Sequence, residues 1–157
     1  DGRAHAVAMV RRHRLIETFL VEVLGYRWDQ VHDEAEHLEH AVSDFMIDQI
    51  DEHLGHPTRD PHGDPIPTAD GRVTRPDAVA LTDVAPGSRV RVERIADTDP
   101  DLLQYFAERG VGVGTALRTR PGAPYSDAIE VLIDDDGIAL GQTAAASVWV
   151  SVEDAPG

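Results

Sequence analysis

The sequence contains no cysteine and no run of the roughly 18 consecutive apolar residues that a membrane helix needs. Without thiols the chain can form no disulfide and no thiolate metal site. A bound metal would therefore need His, Asp, Glu, backbone or water ligands, which suit Mn, Fe(II), Co, Ni or Zn. No basic segment followed by an apolar one opens the sequence, so we expect a cytoplasmic protein without a membrane partner.

Basic residues are also scarce: 14 Lys and Arg stand against 29 Asp and Glu, for a formal net charge of −15. Nucleic-acid affinity rests largely on Lys and Arg side chains that neutralise phosphates. We therefore expect these 157 residues not to bind DNA by themselves. The excess of carboxylates has two interpretations, a solvated surface or a set of cation ligands, and composition leaves both open.

The first third of the chain has a helical pattern. Apolar residues recur at steps of three and four from Ala4 to Leu54, which predicts a helical unit. Gly25 should end the first helix, and a second should run from about Asp29 to Val42. Ser43 can cap a third helix, which Gly55 ends.

The remainder predicts a linker and a β domain. Five prolines and no sustained periodicity mark residues 56–82 as a linker. Short β-type runs and one helix, near Asp101–Glu108, follow and predict a small barrel. The runs are Arg89–Ile95, Thr115–Thr119, Ala128–Ile133, Ile138–Gly141 and Ser147–Val152. The fold class is thus α+β, with an all-helical domain at 1–55, the linker at 56–82 and a β domain at 83–154.

Histidine and glutamate side chains are spaced to share helix faces in two segments. Residues four apart lie on one face of a helix, and two packed helices would bring both faces together. Any one of these residues alone is explained by a solvated surface. Together they favour a metal site, because partly buried carboxylates and imidazoles need partners and a cation supplies one. The candidate ligands are His13, Glu17, His32, Glu36, Glu39 and His40.

The same segments resemble the diphtheria toxin repressor family of iron- and manganese-dependent regulators. The resemblance is carried by Arg12-His13-Arg14-Leu15 with Glu17, by Val31-His32-Asp33-Glu34-Ala35 with Glu39-His40, and by Ser43-Asp44. Downstream, residues 60–67 resemble the family's proline-rich tether and the final half resembles its SH3-like domain. The resemblance covers nearly the whole chain. It implies an N-terminal all-helical metal-binding and dimerisation domain followed by an SH3-like β-barrel.

The resemblance also implies two metal sites. Its ancillary site would take His13, Glu17 and His32, and its primary, activating site would take Glu36, Glu39 and His40. Iron sensors of the family carry Cys where this chain has Glu36, and manganese sensors carry Glu. We therefore expect Mn(II), which prefers oxygen-rich coordination, with Fe(II), Co(II), Ni(II) and Zn(II) as alternatives.

Two further carboxylates are weaker candidates. Some family members lend side-chain oxygens from the SH3-like domain to the ancillary site, and Asp97 and Asp99 lie near the matching position. The alternative is that these residues cap the helix that begins near Asp101.

The family resemblance implies a homodimeric transcriptional repressor of metal homeostasis genes. Family members begin with a winged helix-turn-helix, which has no counterpart here, so we expect operator DNA to be contacted only through a domain outside this sequence. The primary site would also take a ligand from that domain. The alternatives are a metal-dependent hydrolase that uses the His/Glu cluster to activate water, and an acidic interaction module without metal. The chain lacks H-E-x-x-H, a nucleophile elbow and a phosphate loop, so we expect no enzyme.

Overall fold

The structure, a computed structural model, describes residues 2–154 of the chain. The chain divides into two compact units, residues 1–75 and 76–157. The first unit is helical and the second is built on an antiparallel sheet, which confirms the predicted α+β class. Between residues 2 and 154, no helix is long and apolar enough to cross a lipid bilayer.

Three helices form the first unit: α1 (Gly2–Glu22), α2 (Val31–Leu38) and α3 (Asp44–His53). Side chains at three- and four-residue steps meet in a single apolar core, as the periodicity predicts. This core fixes α1 against α2 and α3. Its buried members are Leu15, Ile16, Leu20, Val31, Ala35, Ile47, Ile50 and Ile66.

The ends of the helices show where the sequence pattern was accurate. Ser43 caps α3, since its hydroxyl accepts a hydrogen bond from the amide of Met46 at 3.1 Å. By contrast, α2 ends at Leu38 and not near Val42. The amides of Ala41 and Val42 both donate to the carbonyl of Leu38, at 2.9 and 3.0 Å, which tightens the chain into a turn. Glu39 and His40 therefore lie in this turn and not on the regular part of α2.

The proline-rich segment after α3 contacts the helical core. Arg59 and Pro65 form an isolated β-bridge, and Arg14 of α1 donates a hydrogen bond to the Pro65 carbonyl at 2.5 Å. Buried residues of the segment include Asp60, His62, Asp64 and Ile66. Residues 59–66 of the predicted linker therefore pack on the helices. The predicted domain limits, 1–55, 56–82 and 83–154, stay a prediction.

The second unit contains a six-stranded antiparallel sheet with strand order β1-β6-β2-β3-β4-β5. Its core includes Phe106, Val92 and Val131, all fully buried. The pattern missed β1, which has two residues, and α5, which has five residues with mostly small side chains. The elements are β1 (Val79–Ala80), a 3-10 turn (Leu81–Asp83), β2 (Arg89–Ile95), α4 (Pro100–Glu108), β3 (Ala116–Pro121), β4 (Ile129–Ile133), β5 (Asp136–Leu140), α5 (Gln142–Ala146) and β6 (Val148–Asp154).

Replacing the cap of α3 should destabilise the helical unit. Ser43→Ala leaves the Met46 amide without its side-chain acceptor, and such a loss costs about 1 kcal/mol. Urea unfolding followed by helical circular dichroism measures the difference. Gln49→Ala, at an exposed position in the same helix, is the control and should leave the unfolding free energy nearly unchanged. Equal stability of the Ser43→Ala and control proteins would contradict the capping role.

Candidate metal centre

Glu17 on α1 is a fully buried carboxylate. Its Oε1 lies 3.5 Å from Nε2 of His13, one helical turn earlier, and its Oε2 lies 3.8 Å from Nδ1 of His62. Neither oxygen forms a hydrogen bond within the part of the chain that the structure describes. Because a buried charge without close partners is costly, this arrangement fits a cation bound beside Glu17.

Three of the predicted ligands converge. The side chains of His13, Glu17 and His32 each place a ligand atom within 4.8 Å of those of the other two. The His13 and His32 rings stand edge to face with their centroids 5.0 Å apart. Packing of α1 on α2 brings them together, since His13 and Glu17 flank the buried Leu15 on one helix and His32 follows the buried Val31 on the other.

The proton on His13 is held by the neighbouring carboxylates. Burial lowers the pKa of His13, but Glu17 and Glu39 together outweigh burial and raise it to about 9. The Nδ1 of His13 lies 2.7 Å from Oε2 of Glu39. Without metal, His13 is therefore protonated at neutral pH, and a metal that binds to its nitrogen has to displace that proton.

The side chains of the predicted primary site, Glu36, Glu39 and His40, do not converge as those of the ancillary site do. Glu39 Oε1 lies 3.5 Å from Nε2 of His40, but Glu36 is more than half exposed and approaches His32, at 3.4 Å. Among residues 2–154, Glu36 forms a ligand group with His32 and Asp33 and with neither Glu39 nor His40. The early end of α2 at Leu38 separates these side chains.

A second cluster lies on the other side of Glu17. His62 is fully buried, and its Nε2 donates a hydrogen bond to the carbonyl of Trp28 at 2.6 Å. Because Nε2 is engaged as a donor, the ring nitrogen of His62 that could serve as a metal ligand is Nδ1. That nitrogen faces Glu17 and also Asp60, whose Oδ1 is 4.0 Å away.

Asp60 is held in place by the backbone of its own loop. Its Oδ1 accepts hydrogen bonds from the amides of His62 and Asp64, at 2.9 and 3.0 Å. Burial, together with the nearby charges of Asp64 and Glu17, raises the pKa of Asp60 to about 9. Asp60 and His62 lie in the segment predicted to be a linker, and the sequence pattern identified neither as a candidate ligand. Polar residues at alternate positions among prolines, in the segment 60–64, were the available signal.

Asp97 and Asp99, the two weaker candidates, belong to the second unit. Asp99 caps α4, since its Oδ1 accepts from the amides of Asp101 and Leu102 at 3.0 and 3.4 Å. This is the alternative role that the sequence suggested for it. Asp97 lies between β2 and α4. A ligand role for Asp97 or Asp99 stays a prediction.

The helical unit with its buried His/Glu cluster, followed by an antiparallel β unit, defines a two-part metal-binding protein. Residues 1–68 match the family model described as the iron dependent repressor, metal binding and dimerisation domain. Residues 79–152 match the FeoA domain. The chain belongs to the diphtheria toxin repressor family of metal-dependent transcriptional regulators.

Similar proteins extend over nearly all of the chain. The iron-dependent repressor IdeR of Mycobacterium leprae (strain TN) is 35% identical over 162 residues, which cover 95% of this chain and 70% of that protein. The diphtheria toxin repressor of Corynebacterium efficiens is 34% identical over 74% of this chain and 55% of its own length. A solved manganese-dependent transcriptional repressor in complex with manganese is 53% identical, with a TM-score of 0.93 over 96% of this chain and 72% of that chain.

These comparisons confirm the family resemblance drawn from the sequence. They support the prediction of a metal-dependent repressor over the hydrolase alternative, and they fit a divalent metal as cofactor.

Metal binding at His13 should be linked to pH. Since metal needs the neutral imidazole and the pKa of His13 is about 9, the apparent Mn(II) affinity should rise about tenfold per pH unit between neutral pH and about pH 9. Calorimetry in buffers of different ionisation enthalpy should detect about one proton released per metal at this site. His53→Gln, an exposed position, is the control. An affinity independent of pH over this range would show that metal does not displace the His13 proton.

Proposed function

We propose that this chain is the metal-sensing and dimerisation part of a manganese-dependent transcriptional repressor. The observation that carries the proposal is the carboxylate of Glu17, fully buried and without a hydrogen bond in the described chain, between His13 and His62. A divalent cation beside Glu17 would replace the proton on His13 as the positive charge that compensates this carboxylate. The proposal is for binding and not for turnover.

The donor set supports manganese over iron. The chain offers no thiolate because it has no cysteine, its candidate ligands carry nitrogen and oxygen donors, and Glu36 occupies the position at which the family's iron sensors carry Cys. Hard carboxylate oxygens suit Mn(II) better than a thiolate does. The solved repressor that is 53% identical to this chain is described as manganese-dependent and in complex with manganese, whereas the Mycobacterium leprae relative is described as iron-dependent.

Two groups of residues would hold metal. The first is His13, Glu17 and His32, with Asp60 and His62 on the far side of Glu17. The second is Glu36, Glu39 and His40, which would need a rotation of the exposed Glu36 side chain away from His32 and further ligands from outside this chain. His13 belongs to the first group and contacts Glu39 of the second, so occupation of one group changes the charge beside the other.

The proposed repression works by differential affinity. Ligands on α1 and on α2 favour the packing of these two helices that brings their side chains together, and a metal that prefers this arrangement shifts the population toward it. Operator contact is assigned to protein outside these residues, since the chain spans 70% of the Mycobacterium leprae relative. The net charge of −15 is consistent with this division.

Substitution of Glu17 tests the proposed function directly. Glu17→Gln keeps the shape of the side chain and removes a buried charge, so the protein should fold while Mn(II) affinity at this group falls by at least roughly tenfold. Isothermal calorimetry and thermal unfolding, with and without Mn(II), measure both effects. Glu22→Gln, at an exposed position on the same helix, is the control. Wild-type affinity in Glu17→Gln, or absence of Mn(II) binding by the wild-type protein, would contradict the proposal.

The proposed homodimer predicts a role for the apolar surface of α3. Phe45 and Met46 are adjacent and 74% and 47% exposed, whereas Ile47 and Ile50 of the same helix are buried in the core. Phe45→Glu should give a monomer with unchanged helix content, because a charge would be desolvated at the interface. Sedimentation velocity at micromolar concentration measures this, with Gln49→Glu as the control. A dimer that persists in Phe45→Glu would place the interface elsewhere.

A further inference from the structure

Arg12 of α1 reaches across to the turn that joins α2 to α3. Its Nε donates a hydrogen bond to the backbone carbonyl of Glu39 at 2.9 Å, and its Nη1 bonds Oδ1 of Asp44 at 2.7 Å. The arginine side chain is only 13% exposed. One guanidinium therefore links Glu39, the first residue after α2, to Asp44, the first residue of α3.

The contact is favourable because of where the Glu39 carbonyl lies. Glu39 is the C-cap of α2, and the final carbonyls of a helix have no donors within the helix. A cationic side chain at this end satisfies such a carbonyl and interacts well with the helix dipole. The Asp44 carboxylate is almost fully exposed, so its own bond to Arg12 adds little, and the carbonyl contact is the stronger restraint.

The residue that Arg12 holds also presents a proposed metal ligand. The carboxylate of Glu39 lies 2.7 Å from His13 through Oε2 and 3.5 Å from His40 through Oε1. Because the backbone of Glu39 is fixed to α1 by Arg12, its side chain is directed back toward the neighbouring residue of α1, His13. A looser turn would let the carboxylate move away from both histidines.

We propose that Arg12 is a positioning residue, which sets the backbone of Glu39 so that its carboxylate is placed for metal binding. The inference rests on the proposed function, since it concerns the Glu36, Glu39 and His40 group. Arg12 itself contributes no ligand atom.

Arg11 provides a matched comparison on the same helix. It is equally buried, at 12% exposed, and it bonds Asp51 and Asp48 of α3, at 3.1 and 3.5 Å. Within residues 2–154, both of these bonds are made to α3, and neither reaches Glu39 or the turn. Arg11 therefore shares with Arg12 the general task of holding α1 against α3, and differs in having no contact with Glu39.

Conservative substitutions separate positioning from general packing. Arg12→Lys keeps the positive charge but offers one nitrogen in place of two, and Arg11→Lys makes the same change at the comparison site. In the metal-free protein, Arg12→Lys should speed hydrogen exchange at the amides of Ala41 and Val42, and Arg11→Lys should not. In the Mn(II) titration, the binding event to compare is the one that Glu39→Gln abolishes. Arg12→Lys should lower the Mn(II) affinity of that event by roughly 10-fold to 100-fold.

Arg12→Ala is the second variant. Electrostatics alone predicts that Arg12→Ala raises the Mn(II) affinity, because it removes a positive charge near a cation site. The positioning role predicts the opposite, a loss of Mn(II) affinity. Unchanged affinity in both Arg12 variants, or an equal loss in Arg11→Lys, overturns the positioning role. Failure of the wild-type protein to bind Mn(II) overturns the proposed function instead. In that case, the exchange rates of the Ala41 and Val42 amides still test whether Arg12 fixes the turn. Rates in Arg12→Lys equal to wild type would refute this role, and faster rates would support it.

Discussion

The carboxylate of Glu17 is buried in a helical core beside Leu15 and Ile16, where a charge is costly to keep. It lacks the hydrogen bonds that usually compensate for such burial within the described chain. Three imidazoles stand around it, from His13 on the same helix, His32 on α2 and His62 on the following loop. The packing of α1, α2 and the loop thus converges on one charge, and the stability of that arrangement depends on what neutralises it.

Two kinds of cation can meet this requirement. Without metal, the proton on His13 is held by Glu17 and Glu39, which keep the pKa of this imidazole near 9. When metal binds, the His13 ring nitrogen that becomes its ligand would lose its proton. Exchange of a proton for a divalent ion changes the charge between α1 and the turn after α2, because Glu39 contacts His13 directly. Metal sensing is then a competition between the metal and the His13 proton for the carboxylates of Glu17 and Glu39.

Much of the helical unit and part of its site could be predicted from sequence. The four-residue step from His13 to Glu17 fixes a shared helix face, and the apolar stripe fixes which faces of α1 and α2 meet, so convergence with His32 followed. Glu36 was different, because its grouping with Glu39 and His40 came from the family resemblance, and that grouping stays a prediction while Glu36 approaches His32 in the structure. Asp60 and His62 could not be found from periodicity, since their burial arises from contacts of an irregular loop with α1 and with the Trp28 carbonyl.

Anomalous diffraction at the manganese edge, from crystals of this protein grown with Mn(II), would show whether metal binds beside Glu17. Metal binding there predicts a peak at coordination distance from a Glu17 carboxylate oxygen and from the His13 and His32 rings. A protein that shows no peak beside Glu17, or peaks only at exposed carboxylates such as Asp134 and Asp135 of the β4–β5 hairpin, would contradict it.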